Sequence, residues 1–163
     1  MKRLSNLFLG IIFCLFFVSC EKKEEAYVKI NNPFIEVESI KEVSKIAGFD
    51  INVPEDMFSD KYEMEIRVMP DKLIEIIYKG MEEWITIRKG IYEGENDISG
   101  DYNEYPDIKR EKYKNSEVVF KGMDDKINVA LWADKNYVYS VDINTGGVGK
   151  DYNTIKELIS KIN

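Results

Sequence analysis

Short stretches of alternating apolar and polar residues fill the middle of this chain. In Tyr62–Val68 the even-numbered residues are Tyr, Met, Ile and Val, and the odd-numbered residues are Glu or Arg. A period of two places the apolar side chains on one face of a strand. Six further stretches have strand character: Leu73–Tyr78, Trp84–Lys89, Ile108–Lys114, Glu117–Lys121, Ile127–Ala133 and Tyr137–Ile143. Short polar turns join most of them, so we predict an antiparallel meander sheet of about six or seven strands.

Two amphipathic helices are predicted, one on each side of these strands. The first has about eight residues, begins with a capping box at Ser39–Glu42 and ends at Gly48. The second begins with Asp151 as its N-cap. Its apolar face consists of Ile155, Leu158, Ile159 and Ile162. The sequence therefore predicts an α+β fold, in which a short N-terminal helix and a C-terminal helix pack on the sheet.

The first nineteen residues have the pattern of a targeting segment. Two basic residues precede the run Leu7–Val18, which is uncharged and too short to span a bilayer as a helix. The run ends at Ser19 and Cys20, and this ending resembles the lipobox of bacterial lipoproteins, although Phe17 stands where that pattern prefers leucine. The resemblance implies a signal peptide over residues 1–19 and a lipid on Cys20. An ordinary secretory signal or an uncleaved anchor is the alternative.

Lipidation of Cys20 would hold the protein at a membrane, outside the cytoplasm. Residues 20–32 would then form the lipidated cysteine and a charged tether, and residues 33–163 a single globular domain. Cys14, the other of the two cysteines, would leave with the signal peptide, so no disulfide is expected. We expect this domain to be a monomer.

The charge and the absence of histidine exclude several classes of function. The chain has 23 basic and 30 acidic residues, and loss of Lys2 and Arg3 would leave 21 against 30, a formal charge of −9. Nucleic acid is therefore not an expected partner. Without histidine, the chain cannot form histidine triads, histidine proton shuttles or the common zinc sites. We expect no cofactor and no enzymatic activity.

Glu93–Asp107, which we call the acidic segment, contains six acidic residues and no lysine or arginine. Its alternating oxygen-bearing side chains suit a weak calcium site, formed by Glu95, Asp97, Ser99 and Asp101. The spacing departs from an EF-hand, because Pro106 stands where the bidentate glutamate belongs. The alternative is an acidic surface loop without metal, neutralised by the basic residues at positions 109, 110, 112 and 114. The spacing favours this alternative.

Aromatic side chains indicate a binding function. Tyr92, Tyr102 and Tyr105 lie in or beside the acidic segment. Tyrosine offers a large contact area with a polar tip, which suits protein or glycan surfaces, so these three are the predicted protein-binding residues. Trp84 and Trp132 lie in predicted strands, where we expect them to pack within the sheet.

We therefore expect a membrane-anchored lipoprotein of the cell envelope that binds a partner, in the first place an envelope protein, in a sensory or structural role. The alternative is a carrier that holds an apolar ligand between a curved sheet and its helices. A deep apolar cavity would favour the carrier, whereas a filled core and an exposed tyrosine patch would favour the binding module.

A wider resemblance covers most of residues 32–163. The segments that carry it are Asn32–Phe34, Ala47–Phe49, Val53–Pro54, Arg88–Gly90 and Asp97–Tyr105. They resemble an uncharacterised bacterial lipoprotein domain family, which is similar to the extracytoplasmic domains of anti-sigma-factor-like membrane proteins. The resemblance implies an extracytoplasmic domain, but it implies no activity and no catalytic residue.

Overall fold

The computed structural model of the chain describes residues 32–54, 61–144, 146 and 148–162. The predicted signal peptide, Cys20 and all of the predicted tether except Asn32 lie outside the described residues. The chain divides into two compact units, residues 1–32 and residues 33–163. Within the described part of the chain, no helix is long and apolar enough to cross a membrane.

The described residues form two helices and an antiparallel sheet of nine strands, which confirms the predicted α+β fold. The helices are α1 (Ile40–Ala47) and α2 (Tyr152–Lys161). The strands are β1 (Ile35–Val37), β2 (Glu63–Met69), β3 (Leu73–Lys79), β4 (Trp84–Ile91), β5 (Asp107–Tyr113), β6 (Ser116–Met123), β7 (Lys126–Ala133), β8 (Tyr137–Asn144) and β9 (Lys150–Asp151). The two strands beyond the predicted seven, β1 and β9, are too short to show an alternating pattern.

The sheet joins two meanders, and its strand order is β1-β2-β3-β4-β8-β7-β6-β5. Strands β2–β4 form one meander and β5–β8 the other, and they meet where β4 pairs with β8. Strand β9 pairs with one end of β7. Because β4 lies in the middle of the sheet and β5 at its edge, the acidic segment that connects them has to cross the sheet.

One face of the sheet, the helix face, carries the main core. A row of paired residues across six strands is buried there: Ile66, Ile76, Ile87, Val141, Ala130 and Phe120. Buried residues of both helices belong to the same cluster, among them Val43 of α1 and Leu158 of α2. A pocket between α2 and strands β5–β6 has no room for a water molecule. The core is therefore filled at this place.

Helix α1 begins and ends as the sequence predicts, and α2 differs in one respect. Ser39 Oγ accepts a hydrogen bond from the backbone N–H of Glu42 at 3.2 Å. Gly48 ends α1 in the left-handed conformation, at φ 77°. Asp151 stands at the N-cap of α2, but its side chain makes no capping hydrogen bond. Its Oδ1 instead lies 2.6 Å from the ammonium group of Lys126. Asp151 is thus the N-cap residue as predicted, but its side chain forms an ion pair in place of the capping hydrogen bond.

A β-bulge in β7 shapes the opposite face of the sheet, which we call the second face. Lys121 pairs with Val129, whereas the next residue, Gly122, pairs with Ile127. Asn128 is therefore one extra residue in β7. The two strands approach so closely that a Cβ on Gly122 would lie 1.8 Å from a carbonyl oxygen of β7. Only glycine fits at this position.

Candidate functional site

The acidic segment lies against the second face of the sheet. The Arg88 guanidinium on β4 donates a hydrogen bond to the carbonyl oxygen of Ser99, and Ser99 is only 3% exposed. Farther across the sheet, the ammonium nitrogen of Lys121 on β6 lies 2.7 Å from a carboxylate oxygen of Asp97. The middle of the segment is thus attached to both meanders.

The acidic segment pairs with Lys72, in the turn between β2 and β3, and with Lys121 on β6, instead of with the expected basic residues at positions 109, 110, 112 and 114. Among the described residues, the ion pairs of the segment join Asp97 to Lys121 and Glu93 to Lys72, the latter at 3.8 Å. Two basic residues of β5 have other partners. Arg110, for example, pairs with Glu117 of the neighbouring strand at 3.1 Å.

The predicted calcium ligands take part in hydrogen bonds within the segment. Asp97 Oδ1 accepts hydrogen bonds from the N–H and the hydroxyl of Ser99, at 3.0 and 2.6 Å. Asp101 Oδ1 accepts two from Asn103, both at 2.7 Å, and Glu95 is exposed. In the part of the chain that the structure describes, no three acidic or cysteine side chains form a group that could hold a metal ion. Calcium binding by these residues stays a prediction.

A groove of about 530 Å³, which we call the central groove, opens on the second face beside the acidic segment. Strands β2, β3, β4, β7 and β8 contribute to its floor, and residues 99–105 contribute to its wall. Its polar side chains include Arg67, Thr86, Arg88, Asp101, Asn128, Asp142 and Asn144, and its aromatic side chains are Trp84, Tyr102 and Tyr105. The volume lies in the range of about 300–1,000 Å³ that is typical of small-ligand sites.

A buried carboxylate holds in place the two guanidinium groups that line the central groove. Glu75 is 1% exposed, and its two oxygens accept hydrogen bonds from Arg67 Nε at 2.7 Å and Arg88 Nε at 2.6 Å. Glu75 is directly opposite both arginines in the sheet, so the strand register itself brings the three together. A buried charge requires such pairing, and the pairing holds both guanidinium groups in place.

Two carboxyl groups meet in the central groove, one from Asp101 in the acidic segment and one from Asp142 on β8. Burial, and after it the charge of Asp101, raises the pKa of Asp142 to about 6, while Arg88 acts in the opposite direction. Asp101 also accepts a hydrogen bond from the Tyr105 hydroxyl at 2.5 Å. Burial and this carboxylate raise the pKa of Tyr105 to about 12. The carboxyl group of Asp142 therefore keeps its proton to a higher pH than an ordinary aspartate does.

Two exposed aromatic side chains border the central groove. Trp84 is 50% exposed and Tyr102 is 95% exposed. We expected Trp84 to pack within the sheet, but it is the first residue of β4 and lies on the second face, away from both helices. Trp132 does pack as predicted, since it is 9% exposed and its ring stacks on that of Tyr139 with a centroid distance of 5.1 Å.

Comparisons with known proteins find no match. This holds for protein-family models, for curated proteins and for solved structures. The resemblance to the bacterial lipoprotein domain family therefore stays a prediction, as do the location at the envelope and the lack of enzymatic activity. The function therefore has to be inferred from the geometry of the central groove.

The structure brings together two of the three tyrosines that were predicted to bind a partner. Tyr102 and Tyr105 both line the central groove. Tyr92 directly follows β4, just before the acidic segment, and its N–H donates a hydrogen bond to the carbonyl oxygen of Asn136 at 2.9 Å. It lines a separate pocket beside Phe49. The three tyrosines therefore do not form one surface patch.

Sequence reasoning missed the polar floor of the central groove. A signal was present for part of it, because a hairpin centred on Asp71 places Arg67 opposite Glu75. No comparable signal pointed to Asp142 or Asn128. The first depends on the pairing of β4 with β8, and the second depends on the bulge in β7.

Proposed function

We propose that this protein is a lipid-anchored module of the bacterial cell envelope, which binds a partner in the central groove without converting it chemically. The anchor rests on the sequence, in which an uncharged apolar run ends at Ser19 and Cys20. The binding function rests on one observation, the exposure of Trp84 and Tyr102 beside a polar groove. Exposed aromatic side chains combine large contact area with few rotatable bonds, and they are enriched where proteins recognise ligands.

The hydrogen bonds of the carboxyl groups favour binding over catalysis. Glu75 is held between two guanidinium groups, and Asp101 accepts hydrogen bonds from Asn103 and Tyr105. The groups of the central groove are therefore arranged to hold a polar molecule.

The sequence predicts two classes of ligand, an apolar molecule and an envelope protein, and the structure lends little support to either. A carrier needs an apolar cavity, yet the pocket between α2 and β5–β6 has no room for a water molecule, and charged side chains line the central groove. An envelope protein as the partner was predicted from three tyrosines, and Tyr92 lies apart from the other two. The chemistry of the central groove is the better guide to its ligand.

The anchor is tested by labelling cells with a palmitate analogue. We expect wild-type protein and the Cys14→Ala variant to incorporate the label and to remain with the membranes. The Cys20→Ala variant should incorporate none, because it lacks the thiol that carries the lipid. Incorporation of label into Cys20→Ala would refute the anchor.

The binding function is tested in cells by placing a photo-crosslinking amino acid at position 102 of the full chain. We expect an adduct with a component of the envelope, because Tyr102 borders the central groove and is 95% exposed. Position 81 is the matched control, since Met81 is fully exposed but lies outside this groove. No adduct at position 102, or equal yields at both positions, would contradict a binding function of the groove.

A further inference from the structure

The charges of the central groove nearly compensate one another. Arg67 and Arg88 bring two positive charges to its lining, and the carboxyl groups of Asp101 and, when ionised, Asp142 bring the negative charges. Glu75, which pairs with both arginines, is only 1% exposed. A phosphate-bearing ligand would meet the carboxyl groups of Asp101 and Asp142, and a cationic ligand would meet two guanidinium groups. A neutral ligand avoids both conflicts and leaves the ion pairs of the floor intact.

The hydrogen-bonding groups of the central groove are of mixed type. Ionised carboxyl groups only accept and guanidinium groups only donate, whereas the amide of Asn144 and the hydroxyl of Thr86 do both. A ligand hydroxyl also donates and accepts, so a molecule with many hydroxyl groups can pair with all of these side chains. An apolar ligand would displace water from them without replacing its hydrogen bonds.

The aromatic side chains beside the central groove suit the apolar surface of such a molecule. A pyranose ring has hydroxyl groups around its rim and an apolar C–H face, which stacks on an aromatic ring. Half of Trp84 and nearly all of Tyr102 are accessible for this purpose. The ammonium group of Lys79 lies 5.7 Å from the centre of the Trp84 ring and adds a hydrogen-bond donor beside it.

We infer that the central groove binds a neutral oligosaccharide, whose sugar rings stack on Trp84 and Tyr102 and whose hydroxyl groups pair with the polar floor. This inference rests on the proposed binding function and names the class of ligand for the same site. A peptide that binds as an added strand needs the free edge of a sheet, so this mode of binding is closed to the central groove. The central groove lies on a face, where β4 is paired on both sides, with β3 and β8.

The test applies full-length protein in detergent micelles to an array of neutral oligosaccharides. The array carries oligomers of glucose, galactose, mannose, xylose and N-acetylglucosamine, and a polyuronate oligomer and an oligolysine peptide serve as charged probes. We expect at least one neutral oligosaccharide to bind and neither charged probe to bind comparably. Titration of the bound sugar then gives the dissociation constants of the variants.

Variants locate the sugar in the central groove. Trp84→Ala and Tyr102→Ala should each weaken binding by about tenfold, because each removes a stacking surface. Trp84→Phe should retain most of the affinity. Tyr92→Ala is the matched control, an exposed aromatic residue outside the groove, and should bind as the wild type does. Thermal unfolding of each variant shows that it is folded.

Three results would overturn the inference, and none of them by itself overturns the binding function. The first is an array on which no neutral oligosaccharide binds. The second is a charged probe that binds more tightly than every sugar and depends on Tyr102. The third is sugar binding that Tyr92→Ala weakens as much as Tyr102→Ala. The photo-crosslinking adduct at position 102 decides separately whether the central groove binds a partner at all.

Discussion

Glu75 places a charge in the interior of the sheet, where it is 1% exposed and lies between Arg67 and Arg88. Glu75→Ala would leave two guanidinium groups without their counter-charge. We expect it to lower the free energy of unfolding by about 3–5 kcal/mol, measured by urea denaturation. Glu93→Ala is the control, because it breaks an exposed ion pair with Lys72 and should cost less than about 1 kcal/mol. Equal losses in the two variants would contradict the buried network.

Asp142 makes stability depend on pH in the direction opposite to an ordinary ion-paired carboxylate. Its pKa is raised to about 6 in the folded protein, so folding favours its protonated form. Its contribution is therefore most favourable below about pH 4, and stability falls as pH rises through 6. We expect Asp142→Asn to melt at a higher temperature than wild type at pH 7.5, with a smaller difference at pH 4.

Asp134 supplies the matched control for this pH dependence. Burial acts to raise the pKa of Asp134, but hydrogen bonds from the N–H groups of Asn136 and Tyr137 outweigh it and lower this pKa. Its contribution to stability is therefore present at neutral pH and is lost as pH falls through the lowered pKa. Asp134→Asn should accordingly melt at a lower temperature than wild type at pH 7.5. Destabilisation of Asp142→Asn at this pH would show that the raised pKa is wrongly assigned.

Among the structural elements, the acidic segment crosses the second face of the sheet. Its Asp97 and Asp101 already accept hydrogen bonds from within the segment. We therefore expect the melting temperature in millimolar calcium to equal that in magnesium at the same ionic strength. Extracellular calcium modules have dissociation constants of about 0.1–1 mM, so a real site would respond in this range. A calcium-specific rise of several degrees that is lost in Asp97→Asn would make the segment a metal site.

The bulge of β7 depends on a glycine in the adjacent strand. A Cβ on Gly122 would lie 1.8 Å from a main-chain oxygen of β7, so Gly122→Ala has to separate the two strands. Gly94→Ala is the control, because its Cβ would meet nothing within 4 Å and only the positive φ of 97° opposes it. We expect Gly122→Ala to lose at least about 2 kcal/mol more of unfolding free energy than Gly94→Ala. Similar losses of unfolding free energy in the two variants would show that Gly122 is not in close contact with β7.

At the scale of the whole molecule, the helices and strands described all lie within residues 33–163, a compact unit. A domain of this size buries roughly two-thirds of the surface that its unfolded chain exposes, which suffices for independent stability. We expect a protein comprising residues 33–163 to be a monomer with one cooperative thermal transition. Removal of residues 152–163 should abolish the transition, because Ile155 and Leu158 belong to the core. A shorter protein without α2 that still melted cooperatively would contradict this view.

Local patterns in the sequence were sufficient for the seven longer strands, for α1 with both of its caps and for α2. Each of these depends on side chains that are at most a few residues apart, so periodicity and capping residues report on them directly. The pairing of Arg67 with Glu75 is also local, because one hairpin sets it. The sequence alone thus determined both helices, the seven longer strands and the pairing that holds Arg67 at the central groove.

How the two meanders join and what the acidic segment covers depend on contacts between distant parts of the chain. The pairing of β4 with β8 joins residues that are far apart in the chain, and it brings Asp142 beside Asp101. It also sends the segment across the second face, and it leaves Trp84 exposed at the groove that results. The physical reason is that loop closure and the packing of the whole sheet select which distant strands pair. The local periodicity of the sequence carries no information about either of them.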